Sequence, residues 1–207
     1  MPPYQITPRV FFIEALANER PKAMAWVVDN KNNPKTSGLV KFYQPSNGGV
    51  LIEAEVFGLP DAGRGNPSNF FAMHIHESGN CNNNFTQTGN HFNPGNMPHP
   101  SHTGDLPPLL SNQGYAWTAF IDRRFTIDEI IGKSVIIHGS SDDFMTQPSG
   151  NSGTKIACGE IIRTYYKRNM SCCKINAFFI YVLYICKTLY MERRTFIPSF
   201  STIPNSI

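Results

Sequence analysis

The sequence predicts an all-β protein, an antiparallel sandwich or flattened barrel with two long loops. Three observations predict it. Seven short runs are rich in β-branched and aromatic residues. Clusters of Gly, Pro, Asn and Ser separate those runs, as turns require. Charged residues make up only 16% of the chain, while Gly and Pro number 16 each, which suits short strands and frequent turns. At 207 residues the chain can hold one well-cored domain plus an appendage.

The runs follow one another in a readable order. "AMAWVVD" (23–29) opens the body. "GLVKFYQ" (38–44) and "GVLIEAEVFGL" (49–59) flank "QPSNGGV", a hairpin-type connection. Val40 and Phe42, then Leu51, Glu53 and Glu55, alternate in part, as one-sided strands do. "FFAMHIHE" (70–77) follows, then a polar stretch, 78–114, for which no secondary structure is expected; loops of that length are usually functional or disordered. "YAWTAFID" (115–122) is a strand, and "FTIDEIIG" (125–132) is one helical turn or a short loop. "KSVIIHG" (133–139), a second long loop (139–153) and "TKIACGEII" (154–162) complete the body. Trp26 and Trp117 are expected in the core or on a sheet surface.

Net charge is +3, unevenly spread. Residues 164–207 hold six Lys/Arg and one Glu, which leaves 12 basic and 14 acidic side chains in 1–163. The body is not basic, so nucleic acid is not an expected partner. Residues 164–207 contain no Gly and include the apolar run "INAFFIYVLYIC" (175–186), which Lys187 ends. A membrane span needs about 20 residues, so membrane association is not expected. A weak apolar anchor, a packed or disordered extension, and read-through past the true end of the gene are the three readings of this tail. The expected division is therefore a domain over 1–163 and an extension over 164–207. The start, "MPPYQITPRVFFIEALANERP", lacks a charged-then-apolar leader with a cleavage site. A cytoplasmic location is expected, with an extracellular one the alternative. In that setting five cysteines (81, 158, 172, 173, 186) default to free thiols. The sequon at Asn84 carries little weight, and Cys172 and Cys173 have no partner at metal-finger spacing.

The six histidines are not scattered. His74, His76, His91, His99 and His102 fall between residues 74 and 102, and His138 ends a strand. His74 and His76 are two apart, so a strand points both to one face. "HPSHTGD" spaces His99, His102 and Asp105 by three. His91 precedes this cluster in "GNHFNPG", and three imidazoles and a carboxylate suit zinc. An all-imidazole group built on His74, His76 and His138 suits copper.

"HIH", "HFNP", "HPSHTGD", "VIIHGSSDD" and "GNSGTKIACGE", in this order, resemble the Cu/Zn superoxide dismutase family, as does "GLVKFYQPSNGGVLIEAEVFGLP". The resemblance covers roughly residues 23–163 and implies a Greek-key antiparallel β-sandwich or barrel whose two long loops form the metal site. It implies that His74, His76, His91 and His138 bind copper, that His91, His99, His102 and Asp105 bind zinc, and that His91 bridges the two ions. Asp142 would link His74 to His99 from outside the ligand set and fix their tautomers. Cys81 and Cys158 would form the family's disulfide. The implied activity is an antioxidant oxidoreductase reaction, in which superoxide disproportionates to O₂ and H₂O₂ by Cu(II)/Cu(I) cycling beside a structural zinc. His91 and Lys155 are the catalytic side chains on this reading. Superoxide is the substrate, and the resemblance admits a homodimer and a copper donor as partners.

The chain also departs from the family pattern. Lys155 stands where the family has Arg, keeping the charge but losing the planar two-pronged donor. The loop 139–153 carries Pro148 and few charges. The segment from His99 to His102 is short, which resembles a compact bacterial branch. Complete ligands favour a dismutase. Lys155 and the sparse steering charge favour the alternative, a copper/zinc-binding protein of this fold with little or no activity.

Overall fold

The computed structural model describes residues 15–30, 35–46, 48–61 and 68–165. The contacts divide the chain between Tyr165 and Tyr166, so the readings of the tail beyond Tyr165, Cys172, Cys173 and Cys186 included, lie outside the described residues.

Eight strands form one antiparallel sheet. They are β1 (Ala23–Val28), β2 (Ser37–Tyr43), β3 (Val50–Phe57), β4 (Phe70–His76), β5 (Asp105–Leu110), β6 (Ala116–Asp122), β7 (Ser134–His138) and β8 (Lys155–Arg163). Their order is β5-β4-β7-β8-β1-β2-β3-β6. The terminal strands β5 and β6 are consecutive in the chain and joined through the Asn112–Tyr115 bridge, so the sheet curls into a nearly closed barrel.

The period-2 pattern of the sequence places one face of every strand inside. Ala23, Ala25 and Val27 on β1, Val40 and Phe42 on β2, and Val50, Ile52, Ala54 and Val56 on β3 enter the core. Met73 and Ile75, Val135 and Ile137, and Ala157 and Ile161 complete it from β4, β7 and β8. The β2–β3 connection is a hairpin: Gly48 and Gly49 take positive φ, which glycine adopts without a Cβ penalty, and the Gln44 side-chain amide donates to the Gly49 carbonyl at 2.8 Å. Residues 127–130 form one helical turn. The Glu129 carboxylate accepts the Thr126 backbone N–H and hydroxyl, both at 2.7 Å, as in a capping box. Trp26 and Trp117 are each about half exposed on the outer sheet surface.

The stretch 78–114 differs from the expectation. It contains β5 and a short 3-10 turn, Thr86–Thr88. β5 reads "DLPPLL", and two prolines hide a strand from propensity because they cannot donate to a ladder. They are tolerated because β5 is a terminal strand, and its pairing with β4 is irregular between Phe71 and Met73.

Candidate metal centre

Met73 and Ile75 point into the core, so the pleat turns His74 and His76 outward. Val135 and Ile137 do the same for His138 at the end of β7, which pairs with β4. The imidazoles therefore collect outside the barrel, beneath the two long loops. The first loop returns along β4: Glu77 N–H donates to Asn90 O at 3.0 Å and Phe92 N–H to Ile75 O at 2.8 Å. That lays His91 directly across from His76. The turn into β5 supplies His102 and Asp105, and His99 precedes it.

Two groups result. His74, His76, His91 and His138 form one, and His91, His99, His102 and Asp105 the other; within each, one ligand atom per residue lies within 4.8 Å of all the rest. All seven side chains, and Asp142 beside them, are less than a tenth exposed.

The ring nitrogens show what the groups are built for. Asp142 Oδ2 accepts His74 Nε2–H at 2.9 Å, and its Oδ1 accepts His99 Nε2–H at 2.8 Å. Those contacts leave Nδ1 of each ring as a lone pair. His76 Nδ1 donates to Gly89 O at 2.9 Å, which frees Nε2, 3.4 Å from His138 Nε2. His138 Nδ1 faces Ser152 Oγ at 3.2 Å and Gly153 O at 3.3 Å. His91 Nδ1 lies 2.7 Å from Asp105 Oδ1 and 3.4 Å from His102 Nδ1, on the side of the second group. Among the described residues, four buried side-chain polar atoms lack a hydrogen-bond partner, and three are His74 Nδ1, His91 Nε2 and His99 Nδ1. A buried imidazole nitrogen left unpaired costs about 1–3 kcal/mol. A cation in each group would take up these lone pairs, so the donor set fits copper in the first group and zinc in the second.

The electrostatics keep the ligands in their binding forms. Burial, with Lys155, His91 and His138 nearby, pushes His76 down to about 2. Burial and His74 push His138 down to about 3. Burial likewise lowers His74 and His102. Burial alone would raise Asp142, but hydrogen bonds from His74, the Phe144 N–H and His99 hold it at about 2. Neutral imidazole and ionised carboxylate are the species that bind metal.

Lys155 pairs across from His138 at the start of β8. Its Nζ donates to Thr88 Oγ1 at 2.7 Å and to Gly89 O at 3.2 Å, with Phe85 O at 3.5 Å. Burial lowers its pKa. Cys81 and Cys158 form a disulfide with Cα atoms 5.8 Å apart, tying the first loop to β8. Several supporting groups gave no sequence signal: the Gly89 carbonyl, Ser152, Gln147 and Arg124. Each acts through a contact between distant segments. Gly150, by contrast, lies in the glycine-bearing "SGNSG"; its φ is +65°, and a side chain there would run into Asp142 and His99.

A sequence model of the copper/zinc superoxide dismutase (SODC) family matches residues 36–161. Superoxide dismutase [Cu-Zn] A of Xenopus laevis is 32% identical over 139 residues, 60% of this chain and 87% of that protein. The human copper chaperone for superoxide dismutase is 32% identical over 140 residues, 61% of this chain but only 48% of the chaperone. The crystal structure of a double mutant of a SOD-like protein from Bacillus subtilis superposes with a TM-score of 0.59 at 28% identity, covering 67% of this chain and 96% of that one.

Proposed function

The chain belongs to the copper/zinc superoxide dismutase family, and we propose that within it this protein is an active dismutase, converting two superoxide anions and two protons to O₂ and H₂O₂. The observation that carries the reading is the completeness of the centre. Seven ligand side chains are buried in two groups that share His91, and three of their ring nitrogens lack a hydrogen-bond partner, His99 Nδ1 lying 3.1 Å from Asp105 Oδ2 within the second group.

On this reading His74, His76, His91 and His138 hold copper, and His91, His99, His102 and Asp105 hold zinc. Copper supplies one-electron redox chemistry, and zinc, which has none, fixes structure. The chain supplies the rest. Asp142 fixes the tautomers of His74 and His99, so both present Nδ1. The Gly89 carbonyl does the same for Nε2 of His76. His91 Nε2 is a buried site able to hold one of the protons the reaction consumes. The Lys155 ammonium places positive charge beside the first group, which favours arrival of an anion.

A specific observation favours a second reading, a metal-holding relative with little activity. Lys155 spends its N–H donors on Thr88, Gly89 and Phe85, so it attracts an anion without orienting it. The deciding experiment is the dismutation rate per bound copper of the copper- and zinc-loaded protein, beside Lys155→Arg. A rate well above free-copper controls, rising in the Arg variant, is expected. A rate no better than those controls, with copper verifiably bound, would overturn the dismutase reading.

A further inference from the structure

Arg124 lies just past β6 and reaches across the seam of the barrel to the turn that begins β5. Its grip is anchored on its own strand end. Nε donates to both Asp122 oxygens at 3.1 and 3.2 Å, Nη2 donates to Oδ2 at 2.5 Å, and the Arg124 backbone N–H donates to Oδ1 at 2.8 Å. Asp122 is only 8% exposed. The remaining donors cross the seam: Nη1 to the His102 carbonyl at 3.0 Å and Nη2 to the Asp105 carbonyl at 2.5 Å.

Those two carbonyls bracket the four-residue turn that presents two ligands of the second group. Inside the turn, Asp105 N–H donates to His102 O at 3.1 Å, and His102 N–H donates to Asp105 Oδ2 at 2.9 Å. The His102 carbonyl thus uses both lone pairs, one within the turn and one on the guanidinium. The turn needs outside support because the strand it enters is weak. Pro107 and Pro108 cannot donate, and β5 is the end of the sheet order. A planar guanidinium offers five donors in a fixed array, which meet both Asp122 oxygens and the two carbonyls together; an ammonium has three donors and no planar fork.

We propose that Arg124 is a positioning residue for the second ligand group: it holds the His102–Asp105 turn in its ligating arrangement before a cation arrives, and so sets the zinc affinity of that group separately from copper affinity at His74, His76 and His138. The proposal rests on the metal reading of the group. The hydrogen bonds from Arg124 to this group run to the backbone carbonyls of His102 and Asp105, and its charge also acts on the Asp105 carboxylate.

The test uses the full chain with Arg124→Gln and Arg124→Lys. Amide exchange at residues 102–105 is read in the metal-free protein. Zinc and copper affinities are read by chelator competition. In Arg124→Gln, faster exchange at Asp105 and zinc binding weakened about 10- to 100-fold are expected, with copper affinity within about twofold of wild type. Arg124→Lys, the variant to rely on if the Gln form does not fold, is expected between the two in both readouts. Unchanged exchange with unchanged zinc affinity overturns the proposal, as does equal weakening of zinc and copper. If wild-type protein takes up no zinc, the metal reading of the group falls, and the exchange data still decide whether Arg124 holds the turn.

Discussion

Gln147 is hydrogen-bonded to both backbone polar atoms of His99. Its Oε1 accepts the His99 N–H at 2.9 Å, and its Nε2 donates to the His99 carbonyl at 2.6 Å. The same loop holds the His99 ring through Asp142. One loop thus grips a ligand of the other loop at backbone and side chain together.

Truncation of that grip is the first prediction. Gln147→Ala removes two hydrogen bonds, each worth about 0.5–1.5 kcal/mol. The side chain is exposed, so a loss of about 1 kcal/mol in metal-free unfolding is expected, with zinc affinity falling more than copper affinity. Gln147→Glu keeps the acceptor and should lose less. Denaturant melts with zinc competition check this. A melt superimposable on wild type would show that the bridge contributes nothing.

Gly150 is expected to tolerate no side chain. A Cβ there would lie 1.9 Å from Asp142 Oδ1 and 2.6 Å from His99 Nε2, at a φ of +65°. Gly150→Ala must displace the carboxylate that serves both His74 and His99, so both metal affinities should drop. The ring N–H proton resonances of those two histidines report it directly. Their survival at unchanged shifts would mean the loop moves as a unit.

Acidification should destabilise the metal-free protein well above the carboxylate range. His76 and His138 stand at about 2 and about 3 in the fold, against an ordinary 6.5. Between about pH 6.5 and 3 the unfolded chain binds these protons and the folded chain does not, so stability falls as pH falls. The slope approaches about 1.4 kcal/mol per pH unit for each histidine. Asp142, at about 2 against 3.8, stabilises fully above 3.8 and loses that contribution as pH falls toward 2. Unfolding free energies from pH 8 to 4 check the prediction; a flat profile over pH 6.5–4 would contradict it.

Removal of the disulfide should cost more than any single hydrogen bond. Cys81 and Cys158 are 77 residues apart, and opening a loop of that size costs about 2–5 kcal/mol. The bridge also fixes the loop whose Thr88 and Gly89 bind Lys155 and whose Gly89 carbonyl orients His76. Cys158→Ser is therefore expected to lower both the melting temperature and copper affinity. A large melting shift with copper affinity intact would separate the two roles.

Most of the sheet was legible because strand pleat and hydrophobic period coincide at 2. Seven of the eight strands, β5 excepted, correspond to runs readable in the sequence, with ends shifted by a residue or two. β5 was hidden by Pro107 and Pro108, which read as loop and are accommodated only because the strand sits at an end of the sheet. Five of the seven candidate ligands were legible as residue types at short spacings within "HIH" and "HPSHTGD", and His91 and His138 as the remaining members of a small, clustered set of histidines. Asp142 and the cysteine pair were legible only through resemblance to a family.

By itself the sequence determined an all-β barrel with its imidazoles in and beside two long loops. Alternation and local spacing are properties of neighbouring residues, and they survive without knowledge of the fold. Only the tertiary structure decided which ring nitrogen each histidine presents, which carbonyl or carboxylate holds the other nitrogen, and how Gln147 and Arg124 brace the second group. Those contacts join segments that the chain separates by 13 to 68 residues, and no local pattern encodes a hydrogen bond whose partners meet only when the sheet closes.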